Sequence, residues 1–260
     1  MLCLKLVRNL LIALTLLACF ASTVECLTKA NAIKIVGGQN TGIKSRPYLV
    51  SIRQRNRHFC GGSLIGKSYV LSAAHCFKNQ NNNALTVHGG TSYLQGSRSM
   101  GRYRQVAKIF LPKAFNVNTL VNDVAVLKLR APLTGKNIAV IPLARTHLKA
   151  GEKVHISGWG LSGENKRNLP NRVRTVKIPV ISRAQCKAKY SGQAKLSKSM
   201  FCASKTGKDS CSGDSGGPVV YKKTLVGIVS WGFGCGRKQY PGVYTGVRAM
   251  RKFIIKCMKK

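Results

Sequence analysis

Short apolar runs rich in β-branched residues dominate the chain from residue 35 onward, and Gly, Pro and Asn residues separate them. Many short strands at such spacing are typical of an all-β barrel or sandwich. The predicted strands are Tyr48–Arg53, Ser68–Ser72, Val106–Phe110, Val124–Leu129, Val154–Gly158, Val173–Val180, Thr224–Trp231 and Gly242–Val247. A helical pattern is found only at the end, where apolar residues recur at spacings of three and four between Val247 and Cys257. The chain is therefore predicted to be all-β, with a basic amphipathic C-terminal helix.

The first 34 residues have the organisation of a secretory leader. Lys5 and Arg8 precede an apolar run over residues 10–20, and small residues follow from Ala21. The run is too short to span a bilayer, so we expect no transmembrane segment. The sequence predicts a signal peptide over residues 1–26, cut between Ala21 and Cys26, and a propeptide over 27–34. The alternative is a buried helix of a cytosolic domain; we expect a secreted, extracellular protein.

Composition adds a strong charge imbalance. The chain has 44 Lys and Arg against 6 Asp and Glu, a formal net charge of +38, while 44% hydrophobic residues are enough for a packed core. The acids are Glu25, Asp123, Glu152, Glu164, Asp209 and Asp214. Ten cysteines in a secreted chain indicate disulfides. Neither a Cys-x-x-Cys pair nor a zinc-binding His-Glu-x-x-His segment occurs, so no metal and no cofactor are expected.

Three segments carry candidate chemistry. They are Leu71-Ser72-Ala73-Ala74-His75-Cys76, Asn122-Asp123-Val124, and Asp209-Ser210-Cys211-Ser212-Gly213-Asp214-Ser215-Gly216-Gly217-Pro218. A serine hydroxyl needs an adjacent base to act as a nucleophile, an imidazole can serve as that base, and a carboxylate can orient the imidazole. The order His75, Asp123, Ser215 and the surrounding residues resemble the trypsin-like serine proteases of the chymotrypsin fold. The resemblance covers essentially residues 35–260.

The resemblance implies a fold and its division. We expect two antiparallel six-stranded β-barrels, over residues 35–140 and 141–246, followed by a C-terminal helix over 247–260. Together, residues 35–260 would form the protease domain. The turn-rich stretch 131–151 is the best candidate for the crossing between the two barrels.

The resemblance also implies a role for each site residue. His75, Asp123 and Ser215 would be catalytic, and the N–H groups of Gly213 and Ser215 would form the oxyanion hole. Asp209 would lie at the base of the substrate pocket. The remaining pocket residues would be Ser210, Ser230, Trp231, Gly232 and Gly242. A carboxylate in an open pocket predicts protein substrates cut after Lys or Arg.

Ser230 is also similar to the family serine that hydrogen-bonds the catalytic aspartate.

Activation is implied by the segment Lys34-Ile35-Val36-Gly37-Gly38. Cleavage after Lys34, by another trypsin-like protease or by the enzyme itself, would free the amino group of Ile35 to pair with Asp214. Ser51 and His58 match residues that hold this aspartate before activation.

By the same resemblance, three disulfides are expected: Cys60–Cys76, Cys186–Cys202 and Cys211–Cys235. Cys257 is left over. It is a buried free thiol, a partner for another chain, or a partner for Cys26 if the signal is cut before that residue. The sequence leaves these three alternatives open.

The charge predicts an affinity for polyanions such as an anionic glycan or an acidic surface, with no specific nucleic acid as partner. We expect a monomer with no calcium requirement, since no acid lies between Glu25 and Asp123. The polar segment 163–168 is the expected site of first proteolytic nicking. A rival hypothesis from another class is an inactive or weakly active protease homologue that acts as a polyanion-binding or antimicrobial protein.

Overall fold

A computed structural model describes residues 36–78, 80–96 and 101–260. The predicted signal peptide, the propeptide, Lys34 and Ile35 lie outside the described residues. The strands are β1 Gln39–Asn40, β2 Leu49–Gln54, β3 Arg57–Gly66, β4 Tyr69–Ser72, β5 Leu85–Gly89, β6 Arg102–Phe110, β7 Ala125–Leu129, β8 Lys153–Gly158, β9 Arg174–Pro179, β10 Met200–Ala203, β11 Pro218–Tyr221, β12 Thr224–Trp231 and β13 Gly242–Gly246. The helices are α1 Arg183–Lys189 and α2 Val247–Met258.

The first sheet is a closed barrel of six antiparallel strands, in the order β2-β3-β4-β7-β6-β5. Its inward side chains follow the period of two that a strand imposes: in β5, Leu85 and Val87 are buried while Thr86 and His88 are only half-buried. Closure leaves no free strand edge, so the barrel supplies a rigid support for the loops that leave it.

The second sheet has seven strands, in the order β1-β9-β8-β11-β12-β13-β10. An isolated bridge between Val180 and Ala203 joins the end of β9 to β10, so six of the strands form a second ring. The seventh strand is β1, whose Gln39 pairs with Thr175. The predicted all-β architecture is confirmed, with this seventh strand as a difference. The boundary at residue 140 stays a prediction, although β1 precedes it and pairs with the second sheet.

Helix α1 corrects the expectation that helical structure is confined to the end of the chain. Ser182 caps it by accepting from the N–H of Gln185, and the Gln185 side chain accepts from the N–H of Ser182. This reciprocal capping satisfies backbone donors that a seven-residue helix would leave open. The Ser-x-x-Gln pattern in the sequence was the available signal. Neither described helix is long and apolar enough to cross a bilayer.

Helix α2 agrees with the prediction and packs on the first barrel. Val247, Met250, Ile254 and Cys257 are buried in the same core as the strands of that barrel. Cys257 forms no disulfide with a described cysteine, and burial raises the pKa of its thiol. Cys26 lies outside the described residues, so its pairing stays open.

All eight predicted strands are present, whereas β1, β3, β5, β10 and β11 were not predicted. Strand β6 begins four residues before its predicted start, and the ends of the other seven differ by at most one residue. Strand β3 contains Gly61 and Gly62, which sequence propensity assigns to turns. In the structure a Cβ at Gly62 would lie 2.8 Å from Cγ1 of Val70, so the close approach of β3 to β4 requires glycine. Tertiary packing explains this departure from propensity.

The three expected disulfides, Cys60–Cys76, Cys186–Cys202 and Cys211–Cys235, are all present. The first ties β3 to the turn after β4. The third spans the loop before β11 and the loop after β12. Such cross-links restrict the unfolded chain and hold these loops in place.

Candidate active site

His75 lies in a single 3-10 turn, Ala74–Cys76, that follows β4, and Asp123 lies just before β7. These strands are neighbours in the barrel, with Ser72 paired to Ala125. The Asp123 carboxylate accepts from the backbone N–H of His75 at 2.8 Å and lies 2.8 Å from the ring Nδ1. The barrel therefore fixes both the position and the orientation of the imidazole.

Asp123 is fully buried and its carboxylate is well matched by donors. The hydroxyl of Ser230, on β12 of the second sheet, donates to the same oxygen that faces the ring, at 2.5 Å. A carboxylate can only accept hydrogen bonds, so the proton on the His75 ring belongs on Nδ1. This tautomer leaves Nε2 with a free lone pair, as a general base requires.

The loop that carries Ser215 lies against the residues that precede His75. The carbonyl of Ser215 accepts from the N–H of Gly61 at 2.8 Å. Gly216 has a φ of +78°, and a Cβ there would lie 3.1 Å from the backbone nitrogen of Ala73. Glycine at 216 thus permits the contact that brings the serine loop beside the histidine turn.

Gly213 has a φ of +95°, and a Cβ at this position would lie 2.7 Å from Leu169. The turn is closed by a 2.9 Å hydrogen bond from the N–H of Asp214 to the carbonyl of Cys211. The carbonyl of Gly213 lies 2.9 Å from Nε2 of His58, whose Nδ1 lies 2.8 Å from the Ser51 hydroxyl. In this structure the ring of His58 thus contacts the carbonyl of Gly213, the residue before Asp214.

Asp214 is completely buried beneath that turn. Its carboxylate accepts from the N–H groups of Gly160 at 2.8 Å and Cys211 at 3.1 Å. A Cβ at Gly158 or Gly160 would lie 2.2 Å from the carboxylate oxygens, so both glycines make room for it. Burial raises the pKa of Asp214 to about 6.

Asp209 lies at the base of a cavity of about 230 Å³ and is 4% exposed. It accepts from the backbone N–H groups of Ser210 at 2.8 Å and Gly236 at 3.0 Å and from the Tyr244 hydroxyl at 3.2 Å. Burial raises the pKa of this carboxyl to about 6, against the lowering effect of the hydrogen bonds.

The cavity brings together the pocket residues expected from the sequence. Its lining includes Asp209, Ser210, Ser215, Ser230, Trp231, Gly232 and Gly242. A Cβ at Gly242 would lie 2.7 Å from the Asp209 carboxylate, so a side chain there would cover the acid. At Gly232 a Cβ would lie 3.8 Å from the Cα of Gly242, so a longer side chain would narrow the cavity. The two glycines keep the acid accessible.

The comparison with known proteins fits this geometry. A family profile described as Trypsin matches residues 35–254. The chain belongs to the trypsin family of serine endopeptidases. Seminase of Drosophila melanogaster is 42% identical over 236 residues, which cover 90% of this chain and 85% of seminase. Trypsin of Sus scrofa is 43% identical over 217 residues, covering 82% and 91%. Cationic trypsin-3 of Rattus norvegicus is 39% identical over 244 residues, covering 90% and 94%.

Two contributors to this trypsin-family pocket were missed in the sequence. Tyr244 donates to Asp209 from β13, on the same strand as Gly242. A spacing of two places both residues on one face of a strand, which was the available signal. Gly236 donates through its backbone N–H, and nothing in the sequence marks that contact.

Among the residues that the structure describes, one cluster has the residue types of a metal site: Cys60, His75 and Cys76. The two sulfurs are joined in a disulfide, and Nδ1 of His75 faces Asp123. Metal binding by cysteine requires the free thiolate, so this cluster does not provide metal ligands.

Glu164, which had no assigned role, joins the segment 163–168 to the rim of the pocket. Its carboxylate accepts from Nε and Nη2 of Arg237, both at 2.8 Å, and from the N–H of Cys235. The hydrogen bonds from Arg237 and Cys235 hold the pKa of Glu164 below its usual range. Glu164 thus attaches a loop that carries Lys166 and Arg167.

Replacing Glu164 with Gln should loosen this loop. Limited digestion by added trypsin, followed by mass spectrometry of a Ser215→Ala background, should show cleavage after Lys166 and Arg167 several-fold faster than in the parent. Glu152→Gln removes the same charge elsewhere and should leave the rate unchanged. Equal rates in both variants would show that the Glu164 contact does not restrain the loop.

Proposed function

We propose that this serine endopeptidase is secreted as a zymogen, is activated by cleavage after Lys34, and hydrolyses peptide bonds after Lys or Arg. The observation that carries the specificity is the buried Asp209 carboxylate at the base of an open cavity. The donors to Asp209 given above are all neutral. A buried carboxylate without a countercharge favours a ligand that supplies the cation.

In the proposed mechanism Ser215 attacks the scissile carbonyl while Nε2 of His75 takes the hydroxyl proton. The N–H groups of Gly213 and Ser215 stabilise the oxyanion, a contribution of about 3 to 4 kcal/mol per donor. His75 then protonates the leaving amine, which leaves an acyl-enzyme on Ser215. Water attacks the ester while His75 takes its proton, and His75 then returns this proton to the Ser215 oxygen as the acid leaves. Asp123 stabilises the imidazolium in both steps and stays ionised.

Substrate profiling tests the specificity. After cleavage at Lys34, amide substrates that end in Arg or Lys should be hydrolysed at least ~100-fold more efficiently than those that end in Phe or Ala. Asp209→Asn should lower kcat/KM for the cationic substrates by about 10²- to 10⁴-fold, because breaking a buried ion pair costs about 3 to 5 kcal/mol. Glu152→Gln, with the same charge change, should have no effect.

Two results would contradict this proposal. Cleavage of Phe or Ala substrates, with no cleavage of Arg or Lys substrates, would show that the proposed specificity for Lys and Arg is wrong. Failure of a fluorophosphonate probe to label Ser215 after processing at Lys34 would instead favour the rival hypothesis of an inactive cationic homologue.

The raised pKa of Asp209 predicts a pH dependence. Because burial disfavours the charged form, the carboxyl becomes neutral as the pH falls through about 6. The affinity for benzamidine, a cation, should therefore fall about tenfold per pH unit below that value and stay constant above it. The Kd of benzamidine, measured at equilibrium from roughly pH 4.5 to 8, would test this because the range spans the pKa.

Neutral benzamide is the control for this titration. Its affinity should not change with pH if Asp209 is the titrating group. If the affinities for benzamidine and benzamide fell in parallel, the pH dependence would instead come from a collapse of the pocket around Asp214, whose pKa is also raised to about 6.

Activation is supported by the residues just after the proposed cleavage site. The carbonyl of Val36 accepts from the N–H of Asp209 at 3.1 Å. Gly37 has a φ of +64°, and a Cβ there would lie 2.3 Å from the carbonyl oxygen of Gly207. The chain after Ile35 therefore packs against the pocket loop. The hydrogen-bond donors to the buried Asp214 are backbone N–H groups, so its carboxylate favours a cation such as a new amino group at Ile35.

Changing Ile35 to Gly should leave processing at Lys34 intact yet remove most activity on an Arg amide, because the terminus loses the side chain that buries it. N-terminal sequencing confirms the processing, and Lys34→Gln serves as the unprocessed control. Full activity of processed Ile35→Gly would overturn this account of activation.

A further inference from the structure

A shallow cavity of about 780 Å³ lies along α2, away from the substrate pocket. Six of its seven lining residues are basic: Arg145, Arg248, Arg251, Lys252, Lys256 and Lys259. The seventh is Ile255, and no acid is among them. We call this surface the helix cavity.

The helix geometry arranges these cations in a row. Arg248, Lys252 and Lys256 follow one another at spacings of four, so they lie on one face. With a rise of about 1.5 Å per residue, the cations from Arg248 to Lys259 extend over roughly 16 Å. The opposite face of α2 is buried in the protein core.

This arrangement is unfavourable within the chain itself. Like charges four residues apart destabilise a helix, and a cation in the first turn, such as Arg248, opposes the helix dipole. The first turn of α2 contains no acid. Among the described acids, Asp123, Asp209 and Asp214 are buried, and Glu164 pairs with Arg237. The fifth, Glu152, accepts from the N–H of Lys149. The positive charge of the helix cavity therefore has no internal counterpart among the described residues.

A second basic surface lies on β6 and the end of β7. A cavity of about 610 Å³ there is lined by Arg102, Arg104 and Arg130, again without an acid. We call it the strand cavity. Its exposed aromatic residue, Tyr103, is stacked on His88.

Lysines connect the two cavities. The Lys128 ammonium donates to the carbonyl of Lys260, the residue after Lys259, at 2.6 Å. Lys108 pairs with Lys128 across β6 and β7. Arg130 is two residues after Lys128. Its backbone N–H donates to the carbonyl of Gln105, a residue that lines the strand cavity, at 2.9 Å. The helix cavity, Lys108, Lys128 and the strand cavity form a continuous basic track.

We propose that the basic track binds a linear sulfated polysaccharide, which lies along α2 and continues over β6 and β7. A long, narrow row of cations matches a chain with regularly spaced sulfates. The apolar face of α2 is buried in the core, so the helix cannot insert into a membrane as interfacial helices do. The helix cavity has no aromatic residue, and the single aromatic of the strand cavity, Tyr103, is already stacked on His88. Proteins that bind single-stranded nucleic acid commonly stack successive bases on several aromatics.

The basic track shares no lining residue with the substrate pocket. A bound polysaccharide would therefore leave the pocket open. It would retain the enzyme on a sulfated matrix and would reduce the repulsion between neighbouring Lys and Arg side chains of the basic track. Retention of this kind does not depend on the proposed specificity or activation.

The experiment uses the full chain with Ser215→Ala to prevent self-digestion. The track variant replaces Lys252, Lys256 and Lys259 with Gln; the control replaces Lys187, Lys189 and Lys195, which line neither cavity. Heparin affinity is measured over a series of salt concentrations. The track variant should bind more weakly, with a log Kd against log salt slope reduced by roughly 2 to 3, because each lost cation–anion contact lowers the slope by about 0.7 to 0.9 on nucleic-acid polyanions. The control should change that slope by less than about 1.

A second triple variant, with Gln at Arg102, Arg104 and Arg130, tests continuity. It should weaken the binding of long heparin chains and leave that of a short heparin oligosaccharide, held at the helix cavity, unchanged. Heparin should also raise the Tm of the parent by mass action, and thermal melts verify that all variants fold.

Three outcomes would overturn the proposal. Equal losses in the track and control variants would mean that net charge alone binds heparin. Tighter binding to a single-stranded RNA of matched length, through the same residues, would assign the track to nucleic acid. Tighter binding to phosphatidylserine vesicles would assign it to a membrane surface.

Discussion

The buried carboxylate of Asp123 is the interaction on which the arrangement of the site depends. A carboxylate removed from water is stable only where donors surround it. Its donors come from both sheets: the N–H of His75 from the first barrel and the hydroxyl of Ser230 from the second. Satisfying one buried charge thus fixes the imidazole and the position of β12 beside it. The tautomer that the proposed chemistry needs follows from the same contact.

Asp214 and Asp209 obey the same constraint with different partners. Asp214 is surrounded by backbone N–H groups, and glycines at 158 and 160 give the space for it. Asp209 is surrounded by neutral donors at the base of an open cavity, and Gly242 leaves it accessible. Burial raises the pKa of both carboxyls. A countercharge supplied from outside, by a new terminus or a substrate, would relieve that cost in each case.

The excess of positive charge lies at the surface because most of the described acids are buried. Three of the five described acids are internal, so the surface retains little negative charge to balance its lysines and arginines. The two others make local contacts, Glu164 with Arg237 and Glu152 with the backbone of Lys149. The cations that line the helix cavity have no acid among them, so an external anion can neutralise them.

The sequence by itself pointed to the proposed chemistry and predicted much of the fold. The segments around His75, Asp123 and Ser215 named the candidate site residues, and eight strands were found because short β-prone runs bounded by Gly, Pro and Asn are a local signal. Tertiary structure alone decided the rest. Strand β3 exists because glycines let it approach β4, and β1 joins a sheet built from residues far along the chain. Glu164, Tyr244 and the basic track acquire roles through contacts between distant segments. Local patterns do not encode such contacts, since space and countercharge are properties of the folded chain.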